Sequence, residues 1–235
     1  MFIQVKDAVK KYGKDNSLVY ALNSANLEIE ESEICVILGP SGSGKSTLLN
    51  VLGGLDSLDS GSVVIDGKEI TGLNARQLTE YRRSDVGFVF QFYNLIPDLT
   101  VKENIEVVSD ISEDPLDVEE ILKALGMEQY KYRFPRELSG GQQQRTAIGR
   151  ALIKNPKILL CDELTGSLDL NSSAAVLKYI EKVNREFKTT IIIITHNEDI
   201  RHMADRIIRI KDGKVVSNEK NNHKLSVENI EIIKS

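Results

Sequence analysis

The chain has 235 residues, a length that suits one large α/β domain or one domain with a modest insertion. With 41% hydrophobic and 28% charged residues it has the make-up of a water-soluble globular chain, large enough to build a core without metals or disulfides. A net charge of −5 and an isoelectric point near 5.4 give no global positive field, so nucleic acid is not an expected partner.

Residues 2–9 alternate polar and apolar side chains, which predicts a strand rather than a signal peptide. Residues 26–30 and 34–38 predict two more strands; the second is continuously apolar, as expected when both faces are covered. Cys35 lies in that run and Cys161 in a similar one, so both read as buried thiols acting as small hydrophobes in a reducing compartment. A glycine-rich turn follows, then a helix from about Lys45, a strand at 62–65, a helix at 75–83 and a short strand at 87–90 ending at Gln91. Thr100-Val101-Lys102-Glu103 is a capping box, and Val118, Ile121, Leu122 and Leu125 recur at helical spacing. Residues 100–136, or about 92–137 with their connections, therefore predict a helical insertion between strands. Beyond it, helix 140–154, strand 158–162, helix 172–187 and strand 190–195 alternate, the pattern of a parallel sheet covered by helices. A β pair, 206–210 and 214–217, turns at Asp212-Gly213. The polar stretch Asn218-Glu219-Lys220-Asn221-Asn222-His223 reads as a linker, which divides the chain into a domain at 1–217 and a tail at 218–235. The longest aliphatic run, 191–194, is far shorter than the roughly 20 residues needed to cross a bilayer, so a membrane role would pass through a partner.

Two features carry chemistry. Gly39-Pro40-Ser41-Gly42-Ser43-Gly44-Lys45-Ser46 matches G-x-x-x-x-G-K-[ST], and Thr47 continues it into the helix. Glycines let successive amides turn inward toward phosphate oxygens, and the helix start adds free N–H groups and a positive dipole end. Lys45 supplies a charge for the β and γ phosphates, and the Ser46 hydroxyl a ligand for Mg²⁺. The second feature is Leu138-Ser139-Gly140-Gly141-Gln142. Ser139 is a good N-cap and the glycines expose amides at another helix start, which makes a second anion site in one chain.

Leu138 to Gln142, downstream of a phosphate loop, resembles the signature motif of the ABC transporter ATP-binding cassettes, and the likeness runs from Phe2 to about Ser217. The resemblance implies an α/β phosphate-loop NTPase with a mainly parallel core sheet, an N-terminal antiparallel β subdomain and an inserted α-helical subdomain. It also implies a head-to-tail homodimer in which Ser139, Gly140, Gly141 and Gln142 of one subunit contact the ATP held by the other. Asp162 and Glu163, closing Ile158-Leu159-Leu160-Cys161, resemble the Walker B pair: Asp162 for Mg²⁺, Glu163 as general base. Gln91 resembles the Q-loop glutamine that senses Mg²⁺ and water, and His196 the switch histidine at the γ-phosphate. Ser167-Leu168-Asp169 resembles the D-loop, with Asp169 at the shared nucleotide. Tyr12 resembles the aromatic that stacks on adenine, with Tyr20 as the alternative.

Gly39 to Asp56 and Gly87 to Pro97 are similar to the branch that serves macrolide export, lipoprotein release, cell division and peptide-antibiotic resistance. That branch implies an integral membrane permease as partner and a position on the inner face of the plasma membrane. Leu164, Ser167 and Phe92 depart from the branch pattern, and residues 91–138 are shorter than usual there. A force-transmitting regulatory cassette of the cell-division type and a soluble non-transport ABC ATPase are the alternatives.

Overall fold

The computed structural model describes residues 1–166 and 168–230; Ser167, in the predicted D-loop, and the last five residues of the predicted tail lie outside it. Ile3–Tyr12 (β1) pairs antiparallel with Val19–Ile29 (β2), and Ile34–Leu38 (β3) leads through the glycine-rich loop into Lys45–Leu52 (α1). Ser60–Ile65 (β4), Lys68–Glu69 (β5), Ala75–Ser84 (α2) and Val86–Val89 (β6) follow. Val101–Ser109 (α3), Val118–Ala124 (α4) and Gly140–Leu152 (α5) lie between β6 and Ile158–Asp162 (β7). Leu170–Phe187 (α6), Thr190–Thr195 (β8), Arg206–Lys211 (β9) and Lys214–Lys220 (β10) complete the regular elements.

These strands make two sheets. One is antiparallel, in the order β2-β1-β4-β5; the other runs β10-β9-β3-β8-β7-β6 and is parallel except at its β10 edge. Strands of the parallel sheet are apolar throughout because both faces are covered, and their period of two divides the core. Ile34, Val36, Leu38, Leu159, Cys161, Ile191 and Ile193 face one cluster, with Ile105, Ile121, Ile148, Leu152, Val176 and Ile180 of the helices. Cys35, Ile37, Ile158, Leu160, Ile192 and Ile194 face the other, with Leu48 and Leu52 of α1 and Ile3, Val5 and Leu27 of the antiparallel sheet. The two cysteines are thus free, fully buried and on opposite faces, and burial pushes both thiols well above their ordinary range.

The parallel register fixes the site. Leu38 pairs with Thr195 and Asp162 with Ile194, so the carboxyl ends of β3, β8 and β7 finish along one edge. Ligands of open α/β sheets bind at that edge. The α3–α4 insertion shares its core with α5, α6 and the sheet, so it is an extension of one hydrophobic interior.

Several element ends differ from the sequence reading. β1 continues to Tyr12 and β2 begins at Val19, because inter-strand pairing extends the ladder through polar residues such as Lys10 and Lys11. α6 starts at Leu170, capped by Asp169, whose carboxylate accepts from the Ser172 amide at 3.0 Å. The linker expected from Asn218 onward is instead folded structure. β10 runs to Lys220, and the Asn218 side chain accepts from Arg206 and donates to the Glu28 carbonyl, both at 3.0 Å. Val227 and Ile230 then dock in the core at 1% and 2% exposure, which is why a polar composition does not leave this stretch detached.

Candidate active site

Between β3 and α1 the phosphate loop needs its glycines for stated reasons. Gly42 and Gly44 hold φ of +77° and +105°, and a Cβ on Gly44 would stand 2.2 Å from the Ala21 carbonyl oxygen. Lys45 is only 8% exposed, and its ammonium donates to the Gly39 and Pro40 carbonyls at 2.7 and 3.0 Å. Burial lowers its pKa, opposed by the charges of Glu163 and Asp162. Ser43 Oγ is buried without a hydrogen-bond partner, a polar atom inside a cradle of inward-facing groups. A cleft of about 200 Å³ opens here, lined by Tyr12, Val19, Ala21 and residues 42–47, including Ser46 and Thr47.

Asp162 and Glu163 arrive at the end of β7. Burial pushes the Asp162 carboxyl up and the Glu163 charge adds to this, while Lys45 opposes. Glu163 sits in the left-handed region at φ +49°, a conformation non-glycine residues adopt at a cost. Its amide donates to the Ile194 carbonyl at 3.0 Å, which locks the turn to β8. The carboxylate meets His196 Nδ1 at 3.0 Å through Oε1 and accepts from the Thr195 hydroxyl at 3.3 Å through Oε2. Gln91 joins the group: its Nε2 lies 3.1 Å from where a Cβ on Gly166 would be, in the turn that carries Glu163. Folding therefore gathers Lys45, Asp162, Glu163, Gln91 and His196 at one edge. Thr195 was missed by the sequence reading, although its place between an apolar strand and His196 was available as a signal.

Ser139 caps α5 as a full capping box. Its amide donates to Gln142 Oε1 at 2.8 Å and its hydroxyl accepts from the Gln142 amide at 3.3 Å. Gly141 is buried, and a Cβ there would stand 3.2 Å from Ser172 Cβ at the start of α6. A Cβ on Gly140 would lie 2.8 Å from the Tyr93 hydroxyl. Both glycines thus have packing duties toward their own chain. Arg150 of α5 donates to the Asn94 and Tyr93 carbonyls at 2.7 and 3.1 Å, tying the loop after Gln91 to the signature helix. None of Ser139 to Gln142 lines the phosphate-loop cleft of the same chain.

Tyr12 borders that cleft, with its hydroxyl donating to Asp56 Oδ2 at 2.5 Å. Tyr20 instead faces Lys11, whose ammonium lies 5.0 Å from its ring centre, and does not line the cleft. Asp56 and Lys10, which hold Tyr12, carried no role in the sequence reading.

Comparison with known proteins agrees with this geometry. The family model described as ABC transporter matches residues 22–166. The putative ABC transporter ATP-binding protein MG065 homolog of Mycoplasma pneumoniae is 43% identical over 231 residues, covering 97% of this chain and 50% of that protein. The chain thus spans about half the length of that relative. The uncharacterized ABC transporter ATP-binding protein MJ0796 of Methanocaldococcus jannaschii is 42% identical over 93% of this chain and 97% of its own length. A dimeric, post-hydrolysis structure of MJ0796 bound to ADP and Pi superposes with a TM-score of 0.82 at 40% identity, covering 93% of this chain and 98% of that one. The macrolide export ATP-binding/permease protein MacB of Mannheimia succiniciproducens is 42% identical over 91% of this chain and 34% of its own length. The family model over more than half of the sequence and a relative matched over nearly its whole length place this chain in the ABC transporter family, as one of its ATP-binding cassettes.

Proposed function

We propose that the cassette works as a head-to-tail homodimer that closes on two Mg-ATP molecules, hydrolyses them and drives a membrane permease. One observation carries this reading. A single chain bears two glycine-rich helix starts: the one at Gly44–Lys45 borders a cleft lined by Tyr12, Val19, Ala21 and residues 42–47, and the one at Ser139–Gly140 packs beside Tyr93, Leu168 and Ser172. Two separate cradles on one chain fit a site completed by a second copy.

Within each shared site the residues of this chain divide the work. Lys45 leaves the Gly39 and Pro40 carbonyls for the β and γ phosphates, Gly39 to Thr47 wrap the phosphates, and Tyr12 stacks on the adenine. Glu163 accepts the proton of the attacking water, and His196 moves from Glu163 to the γ-phosphate. The partner subunit's signature amides and its Asp169 loop cover the opposite side, where fixed donors stabilise charge that develops during transfer. Ser46, Asp162 and Gln91 offer the oxygen donors that Mg²⁺ takes in company with phosphates and waters. Among the described residues no three His, Cys, Asp or Glu side chains form a metal cage. When bound, the ion neutralises phosphate charge.

The likeness to a macrolide export ATP-binding/permease protein supports a permease partner and a place on the inner face of the plasma membrane. No helix among the described residues is long and apolar enough to cross a membrane. Phosphate release tests the proposal. Glu163→Gln is expected to retain ATP binding and to lower turnover by a factor on the order of 10²–10⁴, the range general-base catalysis supplies. Turnover within about threefold of wild type would remove Glu163 from the chemistry.

A further inference from the structure

The cleft at the phosphate loop has one wall whose support no motif explains. Tyr12 ends β1, immediately before Gly13 turns the chain at φ +83°, and its side chain is 45% exposed. A ring with so little packing around it keeps several rotamers unless its polar end is tied. Here it is tied at the hydroxyl, which donates to Asp56 Oδ2 at 2.5 Å. The carboxylate that receives it is itself fixed. Its Oδ1 accepts from Lys10 at 2.5 Å and from the Ser57 amide at 2.7 Å, and Lys10 donates in addition to the Ser57 carbonyl at 2.7 Å. Lys10 also stands 5.3 Å from the centre of the Tyr12 ring.

The position of Asp56 matters as much as its bonds. Gly54, at φ +65°, reverses the chain after α1, and the Leu55 and Asp56 amides donate to the Asn50 carbonyl at 2.8 and 3.3 Å. Asp56 is thereby folded back along the helix whose first turn carries Lys45, Ser46 and Thr47. Thr47 lines the same cleft as Tyr12. One unit, α1 with its closing turn, carries the phosphate cradle at one end and, through Asp56 at the other, holds the tyrosine hydroxyl.

We infer that Asp56 is a positioning residue for the base-stacking ring: its carboxylate sets Tyr12 at the mouth of the cleft and so gives the site its preference for a nucleotide over a bare polyphosphate. The inference rests on the proposed stacking of Tyr12 on adenine and extends it to the residue that orients the ring. Asp56 touches neither phosphate nor base; it acts through the tyrosine.

The test compares binding of ATP with binding of inorganic tripolyphosphate, which has the phosphates and no base. Asp56→Ala is expected to weaken ATP by about three- to tenfold, the cost of ordering one released side chain, and to leave tripolyphosphate unchanged. Tyr12→Phe, which keeps the ring and loses the tether, is expected to weaken ATP by the same factor, and Asp56→Ala added to it to cause no further loss. Tripolyphosphate reports an intact cradle in every variant, and the nearly isosteric Tyr12→Phe carries the test if Asp56→Ala does not fold. Equal losses for both ligands, or independent losses in the double variant, would overturn the inference. Tyr12→Ala separates it from the reading beneath it: stacking predicts an ATP-specific loss of about tenfold. If Tyr12→Ala spares ATP, the stacking itself fails; if it weakens ATP while Asp56→Ala and Tyr12→Phe do not, only the role of Asp56 fails.

Discussion

Glu163 is the residue proposed to carry the chemistry, and three neighbours fix it: the Ile194 carbonyl through its backbone, and His196 and Thr195 through its carboxylate. Thr195→Val removes one donor to that carboxylate while keeping the shape of a strand residue that is 1% exposed. The expected result is turnover reduced by about 10- to 150-fold with ATP binding unchanged, the scale of one hydrogen bond to a charged group, measured by phosphate release. Remote from the site, Arg206 meets Glu33 in a two-pronged pair at 2.6 and 3.1 Å, with side chains only 7% and 10% exposed. Glu33→Gln leaves the buried guanidinium with only Glu30, at 4.0 Å, as counter-charge and is expected to cost about 3 kcal/mol in urea unfolding. Asp162, Glu163 and His196 stood out as candidates because each follows an apolar run at the place where the family resemblance puts the Walker B pair and the switch histidine. The bonds from Thr195 to Glu163 and from Tyr12 to Asp56 were not legible, since they join residues 32 and 44 positions apart that only the fold brings together.

At the level of elements, caps decide where the functional loops end. Ser139 closes α5 by a reciprocal pair of bonds with Gln142, so Ser139→Ala should cost about 1 kcal/mol of stability besides any effect on turnover. The short 3-10 turn after His196, Glu198–Met203, is pinned by Glu198, which takes two bonds from Arg209 at 2.6 and 2.7 Å and one from Arg201 at 2.8 Å. Arg209 first, then Arg201, holds the Glu198 carboxyl down to about 2 from its ordinary 4.5. Because the folded value is depressed, the ionised form stabilises the fold above the ordinary value, and that contribution is lost as pH falls from 4.5 toward 2. The side chains are 40–48% exposed, so solvent screening keeps it under about 1 kcal/mol. In thermal unfolding the deficit of Arg209→Ala relative to wild type is expected to narrow as pH is lowered from about 5 to about 3, following the Glu198 titration. Apolar periodicity located nearly every long element, including the fully buried strands and α5. It lost the ends of β1, β2 and β10, where Lys10, Lys11, Asn218 and Lys220 are polar and only pairing with a neighbouring strand defines the element.

Across the whole molecule, residues 221–230 act as a strap. Asn221 donates to the Arg201 and Ala204 carbonyls at 3.3 and 2.9 Å, Lys224 pairs with Asp205 at 2.8 Å, and Val227 and Ile230 fill the core beside α6. Ile230→Ala is expected to lower stability by about 2 kcal/mol, with nucleotide affinity retained. The two glycine-rich helix starts, by contrast, have different neighbours on one chain, which is the basis for proposing a site built between two copies. Sedimentation velocity of Glu163→Gln with saturating Mg-ATP, with and without Ser139→Arg in the same chain, tests this most directly. Glu163→Gln is expected to sediment as a dimer only with ATP, and the added Ser139→Arg to return it to a monomer that still holds nucleotide. A Glu163→Gln chain that stays monomeric with ATP bound, or a dimer indifferent to Ser139→Arg, would contradict the shared site.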